Sequence, residues 1–324
     1  MKYKLLCNYW LPKACTEPYT DQFTFICPTE KEDHYTQEQI KERIGDCDVF
    51  FDVRDWARRD LIEAGKNLKV IANHAVGYDA IDVDCCNERG IAVVLCATKV
   101  TETTAELAVA LMMATMRSVA RYDREIRNGI WTSGPWIDTD TQLFGHTLGV
   151  IGFGRIGRAF AKKARGLGMT IQYYDPFRAS PEVEREYEAT YLPLDELLAS
   201  SDCVTLHLPY TKENHNLINA DAFAKMRDGS YLINAARGPI VDEDAMIAAL
   251  KSGKLRGAGL DVFVGEPQVN PELLKLPNVV MTPHAGSQTL ETRVNMWNEG
   301  MEGVISVLNG KTPPNIVNPQ VMSK

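Results

Sequence analysis

Val150-Ile151-Gly152-Phe153-Gly154-Arg155-Ile156-Gly157 is the stretch whose reading decides the fold. The apolar run Thr147-Leu148-Gly149-Val150-Ile151 leads straight into this Gly-x-Gly-x-x-Gly, and a helical pattern through Ala159, Phe160, Ala164 and Leu167 follows it. Strand, glycine turn and helix in that order make a dinucleotide-binding unit. Gly152 permits the tight turn, Gly154 lets the backbone approach a pyrophosphate, and Gly157 lets the helix lie close to the strand with its N-terminal amides facing the anion. After a further apolar strand, Met169 to Tyr174, comes Asp175, at about the spacing expected of the carboxylate that bonds the ribose hydroxyls of NAD. A lone glycine pattern is weak evidence, whereas strand, glycines, helix, strand and acid in sequence are hard to obtain from a merely structural turn.

The rest of the composition agrees with a globular nucleotide-binding protein. A chain of 324 residues has room for two domains with sizeable cores, and 45% hydrophobic with 24% charged residues is an ordinary balance. The formal charge of -8 and the absence of a basic run give no electrostatic reason to bind nucleic acid or an anionic membrane. Eight cysteines (Cys7, Cys15, Cys27, Cys47, Cys85, Cys86, Cys96 and Cys203) show no Cys-x-x-Cys pair and no histidine-rich spacing, so neither a zinc site nor a disulfide framework is expected. The opening residues read as a first strand, not a signal peptide, and the longest apolar stretch, Leu107 to Met116, falls far short of a membrane span. A cytoplasmic protein is expected.

Before the glycine turn, apolar strands alternate with helices. Strands are expected at Tyr3 to Cys7, Phe23 to Cys27, Asp48 to Phe51, Leu68 to Ala72 and Ile91 to Leu95, with helices at Gln37 to Ile44, Asp55 to Ala64 and Val83 to Glu88. This alternation predicts a mostly parallel sheet with helices on both faces. A long helix from about Thr101, a plausible N-cap, to about Ser118 reads as a connector. The turn-rich segment Asn128 to His146 reads as a long loop, in which Trp131 and Trp136 are packing anchors or a subunit contact.

From residue 147 a second alternating set begins. Its strands are expected at 147–151, 169–174, 189–191, 203–208, 230–234, 257–262 and 279–282, and its helices at 155–167, 194–200, 220–226, 242–251 and 271–275. The final helix, Thr289 to Leu308, is stopped by Gly310 and Pro313-Pro314 and is free to return to the first lobe. Two doubly wound α/β lobes are therefore predicted, with ligands beyond the carboxyl ends of the strands in a cleft.

Three polar signals fall just after predicted strands: Asn234-Ala235-Ala236-Arg237-Gly238, Asp261-Val262-Phe263-Val264-Gly265-Glu266-Pro267, and Pro283-His284-Ala285-Gly286-Ser287. Arg237, Glu266 and His284 each have a bland reading as surface charge, loop acid or loop histidine. Coming together from consecutive strand ends beside a dinucleotide site, they point to chemistry.

With these motifs in place, the chain resembles the D-isomer-specific 2-hydroxyacid dehydrogenases. The likeness runs from Val76-Gly77-Tyr78-Asp79-Ala80-Ile81-Asp82 through Thr104-Ala105-Glu106, the glycine turn and His207-Leu208-Pro209 to Pro283-His284, and its wording is nearest the members that reduce glyoxylate, hydroxypyruvate or 2-ketogluconate. The resemblance implies a flavodoxin-like substrate (catalytic) domain made of residues 1–98 and 289–324, a Rossmann NAD-binding domain at 99–288, and a homodimer. It implies that His284 is the general acid and base, that Glu266 orients it, and that Arg237 holds the substrate carboxylate, with the amides near Val76 and Gly77 also bonding that carboxylate. The implied cofactor contacts begin with the glycines 152, 154 and 157, then Arg155 and Ile156 at the pyrophosphate and Asp175 at the adenine ribose. Thr104, Pro209, Ala235 and Asp261 line the nicotinamide side, and Ala236, Arg237, His284 and Gly286 complete the set. Asp175 argues for NAD over NADP, although Arg178 lies close in sequence and offsets its charge. No metal is needed. His207 reads equally as a structural strand-end histidine or a ligand. Two other readings stay open: the same fold serving another acid, such as D-lactate or 3-phosphoglycerate, and an NAD(H)-sensing binding protein of the corepressor type.

Overall fold

A computed structural model describes residues 2–53, 57–131 and 140–323. The chain divides into two compact units, one made of Met1–Val100 with Ser287–Lys324 and the other of Thr101–Gly286.

The first unit is built on five strands, β1 (Tyr3–Cys7), β2 (Phe23–Ile26), β3 (Val49–Asp52), β4 (Val70–Asn73) and β5 (Ala92–Leu95). All pairings are parallel, in the order β2-β1-β3-β4-β5, the flavodoxin-like arrangement. Every residue of β3 and β4 is buried, which is why these strands are near-continuous apolar runs and do not alternate. The helices have local start signals. Thr36 and Gln39 form a capping box for Gln37–Arg43, Asp82 caps Val83–Arg89, and Gly90 ends the latter in the left-handed region at φ 68°. The chain's last long helix, Leu290–Leu308, belongs to this unit. Thr289 caps it, and its buried Trp297 stacks on Phe51 of β3 at 4.0 Å between ring centroids. Val76 and Gly77 follow β4, where Asn73 Nδ2 donates to the Gly77 carbonyl at 2.6 Å.

The second unit holds seven parallel strands, β6 (Thr147–Ile151), β7 (Thr170–Tyr174), β8 (Ala189–Tyr191), β9 (Cys203–Leu206), β10 (Ser230–Asn234), β11 (Leu255–Leu260) and β12 (Val279–Met281). Their order is β12-β11-β10-β9-β6-β7-β8. β6 lies between β7 and β9, so the chain leaves it in opposite directions, and the glycine turn sits at this topological switch point. The helix Thr101–Met116 opens the unit and packs on the helix Arg155–Gly166 and on β11, where Leu111 and Thr115 lie against Gly257 and Gly259.

Some local expectations change. Thr101 is the first residue of its helix and not the cap before it. β9 and β11 end at Leu206 and Leu260, each two residues early, because the chain turns there into the loops that carry polar residues. The helices Val119–Arg127 and Pro181–Tyr187 were not anticipated: neither buries a residue fully, and the apolar residues Val119 and Ile126 of the first stand exposed, so neither shows the core-facing pattern of a packed helix. Trp131 is 79% exposed and is not packed as an anchor among the described residues. Trp136 and the expected start of a helix at Asp55 lie outside the described residues. All eight cysteines are unpaired, and seven of them are buried. Among the described residues no helix is long and apolar enough to cross a membrane.

Candidate active site

The carboxyl ends of β10, β11 and β12 bring three side chains of the second unit together. After β10, buried Asn234 shapes the turn: its Oδ1 accepts from the Ala236 amide at 3.0 Å and its Nδ2 donates to the Arg237 carbonyl at 3.0 Å. Gly238 then lies against the loop after β11 so closely that a Cβ there would come within 2.1 Å of the Phe263 carbonyl. A side chain at 238 would therefore force the Arg237 and Glu266 loops apart. Glu266 is tied back to its own loop, with Oε1 accepting from the Phe263 amide at 2.8 Å. Its other oxygen, Oε2, meets His284 Nδ1 at 2.8 Å.

His284 stands in the loop after β12 with a positive φ of 53°, a conformation unusual for a residue other than glycine and strained by roughly 1–3 kcal/mol. Asp261 holds it there. Its backbone carbonyl accepts from the His284 amide at 2.9 Å, while its carboxylate accepts from Thr282 Oγ1 (2.6 Å), the Ala285 amide (2.7 Å) and the Gly286 amide (2.9 Å). Asp261 is almost wholly buried, and that burial pushes its carboxyl above the ordinary range despite these bonds. Both carboxylate oxygens are thus occupied in ordering the histidine's loop, a role the sequence did not disclose. A nicotinamide carboxamide, expected as its partner, would have to share oxygens already bonded.

The electrostatics suit proton transfer. Burial acts to raise the Glu266 carboxyl, but the bond and charge of His284, the Phe263 amide and the charge of Arg237 outweigh it and leave Glu266 below the ordinary glutamate range. An ionised Glu266 keeps the proton on His284 Nδ1 and leaves Nε2 as the outward nitrogen. The imidazole is 46% exposed and so accessible to a ligand. Arg237 is half-buried, and its Nη1 donates to the Ala236 carbonyl at 2.9 Å.

The same sheet carries the nucleotide turn. Gly152 has φ 92° and donates its amide to the Tyr174 carbonyl at 2.8 Å, and a Cβ on it would come within 2.7 Å of the His207 backbone. A Cβ on Gly157 would lie 2.1 Å from the Gly152 carbonyl oxygen, so the helix Arg155–Gly166 reaches the turn only because Gly157 has none. In front of Gly154, by contrast, nothing lies within 4 Å of a built Cβ, and Arg155 beside it is exposed. This open, amide-lined helix start fits a pyrophosphate. Asp175 closes the turn by accepting the Phe153 amide at 2.8 Å. Thr104 and Gly286 approach each other and Asp261, Ala235 is half-buried, Ala236 is buried, and Pro209 is exposed after β9.

His207 follows its strand-end, structural reading. One ring nitrogen meets Thr205 Oγ1 at 2.9 Å, its ring lies 5.0 Å from that of Phe160, and burial pushes the imidazole down to about 3, so it stays neutral. His74 and His146, which offered no partner pattern in the sequence, lie beside the Arg293 carbonyl (3.2 Å) and the Asp202 carboxylate (3.1 Å). Among the described residues no cluster of three or more histidine, cysteine or carboxylate side chains could hold a metal ion.

Comparison with known proteins places this architecture. Residues 109–286 match the family described as D-isomer specific 2-hydroxyacid dehydrogenase, NAD binding domain. The glyoxylate reductase of Korarchaeum cryptofilum is 42% identical, over 89% of this chain and 87% of its own. The glyoxylate/hydroxypyruvate reductase B of Citrobacter koseri is also 42% identical, over 88% of this chain and 89% of its own. Among solved structures, the D-lactate dehydrogenase of Aquifex aeolicus, complexed with NAD and lactic acid, is 29% identical and superposes with a TM-score of 0.82 over 97% of this chain and 98% of that one.

Proposed function

Because this chain belongs to the D-isomer-specific 2-hydroxyacid dehydrogenases, we propose that it reduces a small 2-keto acid of the glyoxylate or hydroxypyruvate type to the D-2-hydroxy acid, with NAD as its coenzyme. The observation that carries the reading is the 2.8 Å bond between Glu266 and His284 at a strand end, with Arg237 beside it on the sheet that bears the glycine turn. NADH, when bound, supplies the hydride that goes to the carbonyl carbon. His284 Nε2 gives a proton to the carbonyl oxygen as negative charge develops there, and takes it back in the reverse reaction. Glu266 keeps the ring turned, with Nδ1 toward its carboxylate and Nε2 toward the substrate. Arg237 offers a planar fork of donors to the substrate carboxylate. Asp175 bonds the adenine ribose, and the amides at Gly154, Arg155 and Ile156 receive the pyrophosphate.

A test measures the fall in NADH absorbance with glyoxylate, hydroxypyruvate, pyruvate and 2-ketogluconate. The expected result is the highest kcat/KM with glyoxylate or hydroxypyruvate. NADH binding without turnover of any of the four would instead support a nucleotide-sensing protein.

We also propose that the enzyme is a homodimer. The support is an apolar strip from the helix Val119–Arg127 onward, in which Val119, Ile126, Ile130 and Trp131 are 56, 53, 51 and 79% exposed. Light scattering is expected to give twice the chain mass, and Trp131→Glu to shift the protein toward the monomer. A monomeric wild-type protein would refute the assignment.

A further inference from the structure

We propose that Glu184 is a specificity-determining residue: its carboxylate holds the guanidinium of Arg178, the cation a 2′-phosphate would recruit, and so keeps the site selective for NADH over NADPH. This rests on the reading that Asp175 bonds the adenine ribose.

The two carboxylate oxygens of Asp175 fix where the ribose-reading loop begins. Oδ2 accepts from the Phe153 amide in the glycine turn at 2.8 Å, and Oδ1 accepts from the Phe177 amide at 2.9 Å. Arg178 is the next residue in that loop. A cation so placed beside an acid is ambiguous in sequence, since a free guanidinium at this point is a ready ligand for a phosphate on the ribose. The structure resolves the ambiguity. Arg178 Nε donates to Glu184 Oε1 at 2.8 Å and Nη2 to Oε2 at 3.1 Å, a fork-to-fork pair that takes up both carboxylate oxygens. The guanidinium also lies 5.2 Å from the centre of the Tyr191 ring.

The two partners are not equally free to move. The Arg178 side chain is 63% exposed, but that of Glu184 is only 16% exposed. Glu184 Oε1 also accepts from the hydroxyl of buried Tyr173 at 2.7 Å, and that hydroxyl accepts from the Ala179 amide at 3.0 Å. The Tyr173 ring stacks on Phe153 of the glycine turn at 4.1 Å. Glu184 is therefore anchored through Tyr173 to the nucleotide turn itself, and the arginine is the half of the pair that swings. Its bonds from Arg178 and Tyr173 pull Glu184 down to about 2, so it remains an anion at any pH where the enzyme works. Asp175 and Glu184 thus act on one phosphate by different routes. Asp175 repels it, and Glu184 neutralises the cation that would attract it.

The test is a titration of the purified protein with NADH and with NADPH, without substrate, followed by intrinsic fluorescence. In Glu184→Gln the amide oxygen still accepts from Tyr173, while the charge that holds Arg178 is gone. The expected result is an NADPH dissociation constant lower by about 5- to 20-fold, the range for charge-assisted bonds discounted for an exposed site, with that for NADH within about twofold. Adding Arg178→Ala to Glu184→Gln abolishes the gain. Arg178→Ala alone leaves NADPH binding unchanged, because the side chain is already withheld. An unchanged NADPH-to-NADH ratio in Glu184→Gln overturns the proposal. So does a gain that survives loss of Arg178, or a fall in NADPH affinity in Arg178→Ala alone. The last measurement decides the matter even if Glu184→Gln does not fold. Asp175→Asn reports separately on the ribose reading: if Asp175 bonds the hydroxyls, NADH binding weakens in that variant whatever Glu184 does.

Discussion

Replacing His284 with alanine lowers kcat for keto-acid reduction by roughly two to four orders of magnitude, the usual worth of a positioned proton donor, and leaves the NADH dissociation constant within about twofold. The split follows from the geometry. Asp261 orders the loop after β12 through the amides of residues 284, 285 and 286 and the Thr282 hydroxyl, none of which involves the imidazole. The loop keeps its path when the ring is removed, so the loss is confined to the proton step. Single-turnover kinetics with NADH give the rate, and fluorescence titration gives the affinity. Turnover equal to wild type would exclude His284 from the mechanism. The partner acid sets the acid limit of the same activity. Glu266 lies below the ordinary glutamate value of 4.5 in the folded protein, so the pair to His284 is fully present above that value. It is lost only as the pH falls through the lowered value. Reduction is therefore expected to persist into mildly acidic solution and to fail at a pH below that at which a free glutamate titrates.

Arg237→Ala is expected to lower kcat/KM for the keto acid by roughly two to four orders of magnitude, as for removal of one partner of a desolvated charge pair. Arg237→Lys keeps the charge but not the planar fork and should fall between the two. Because Arg237 is one of the charges that hold Glu266 down, its loss also lets that carboxyl rise, and the acid limit of the remaining activity moves to higher pH. Steady-state kinetics across pH measure both effects. A kcat/KM within threefold of wild type would mean that another group binds the substrate carboxylate.

The nucleotide half of the site was legible because it is local. Gly152, Gly154, Gly157 and Asp175 lie within one strand-turn-helix-strand unit, where Gly157 must clear the Gly152 carbonyl and Asp175 accepts the Phe153 amide, although the His207 backbone that crowds Gly152 comes from a distant strand end. The histidine, its carboxylate and the arginine were legible as a set because each follows a strand of a parallel sheet, and such strands end on one edge. Asp261 was harder to read. As an acid at a strand end it resembles a ligand, and only the return of residues 282–286 to its oxygens shows it to be a support. Glu184 was invisible in the same way, since it sits among Glu182, Glu186 and Glu188 on a polar segment and differs from them through its bond to Tyr173. Trp131 could be read from sequence as a packing anchor or as a subunit contact, and its exposure among the described residues speaks only against the first.

From the order of residues alone follow the two parallel sheets, the place of the glycine turn and the types of side chain that could carry chemistry, because hydrophobic period and turn residues act over short stretches of chain. Which oxygen of Glu266 faces the imidazole, why His284 is held at a positive φ, and what restrains Arg178 came only from the folded chain. Those features depend on strand register bringing together loops separated by tens of residues, and a side chain's direction there is set by partners that its own neighbourhood in the chain does not contain.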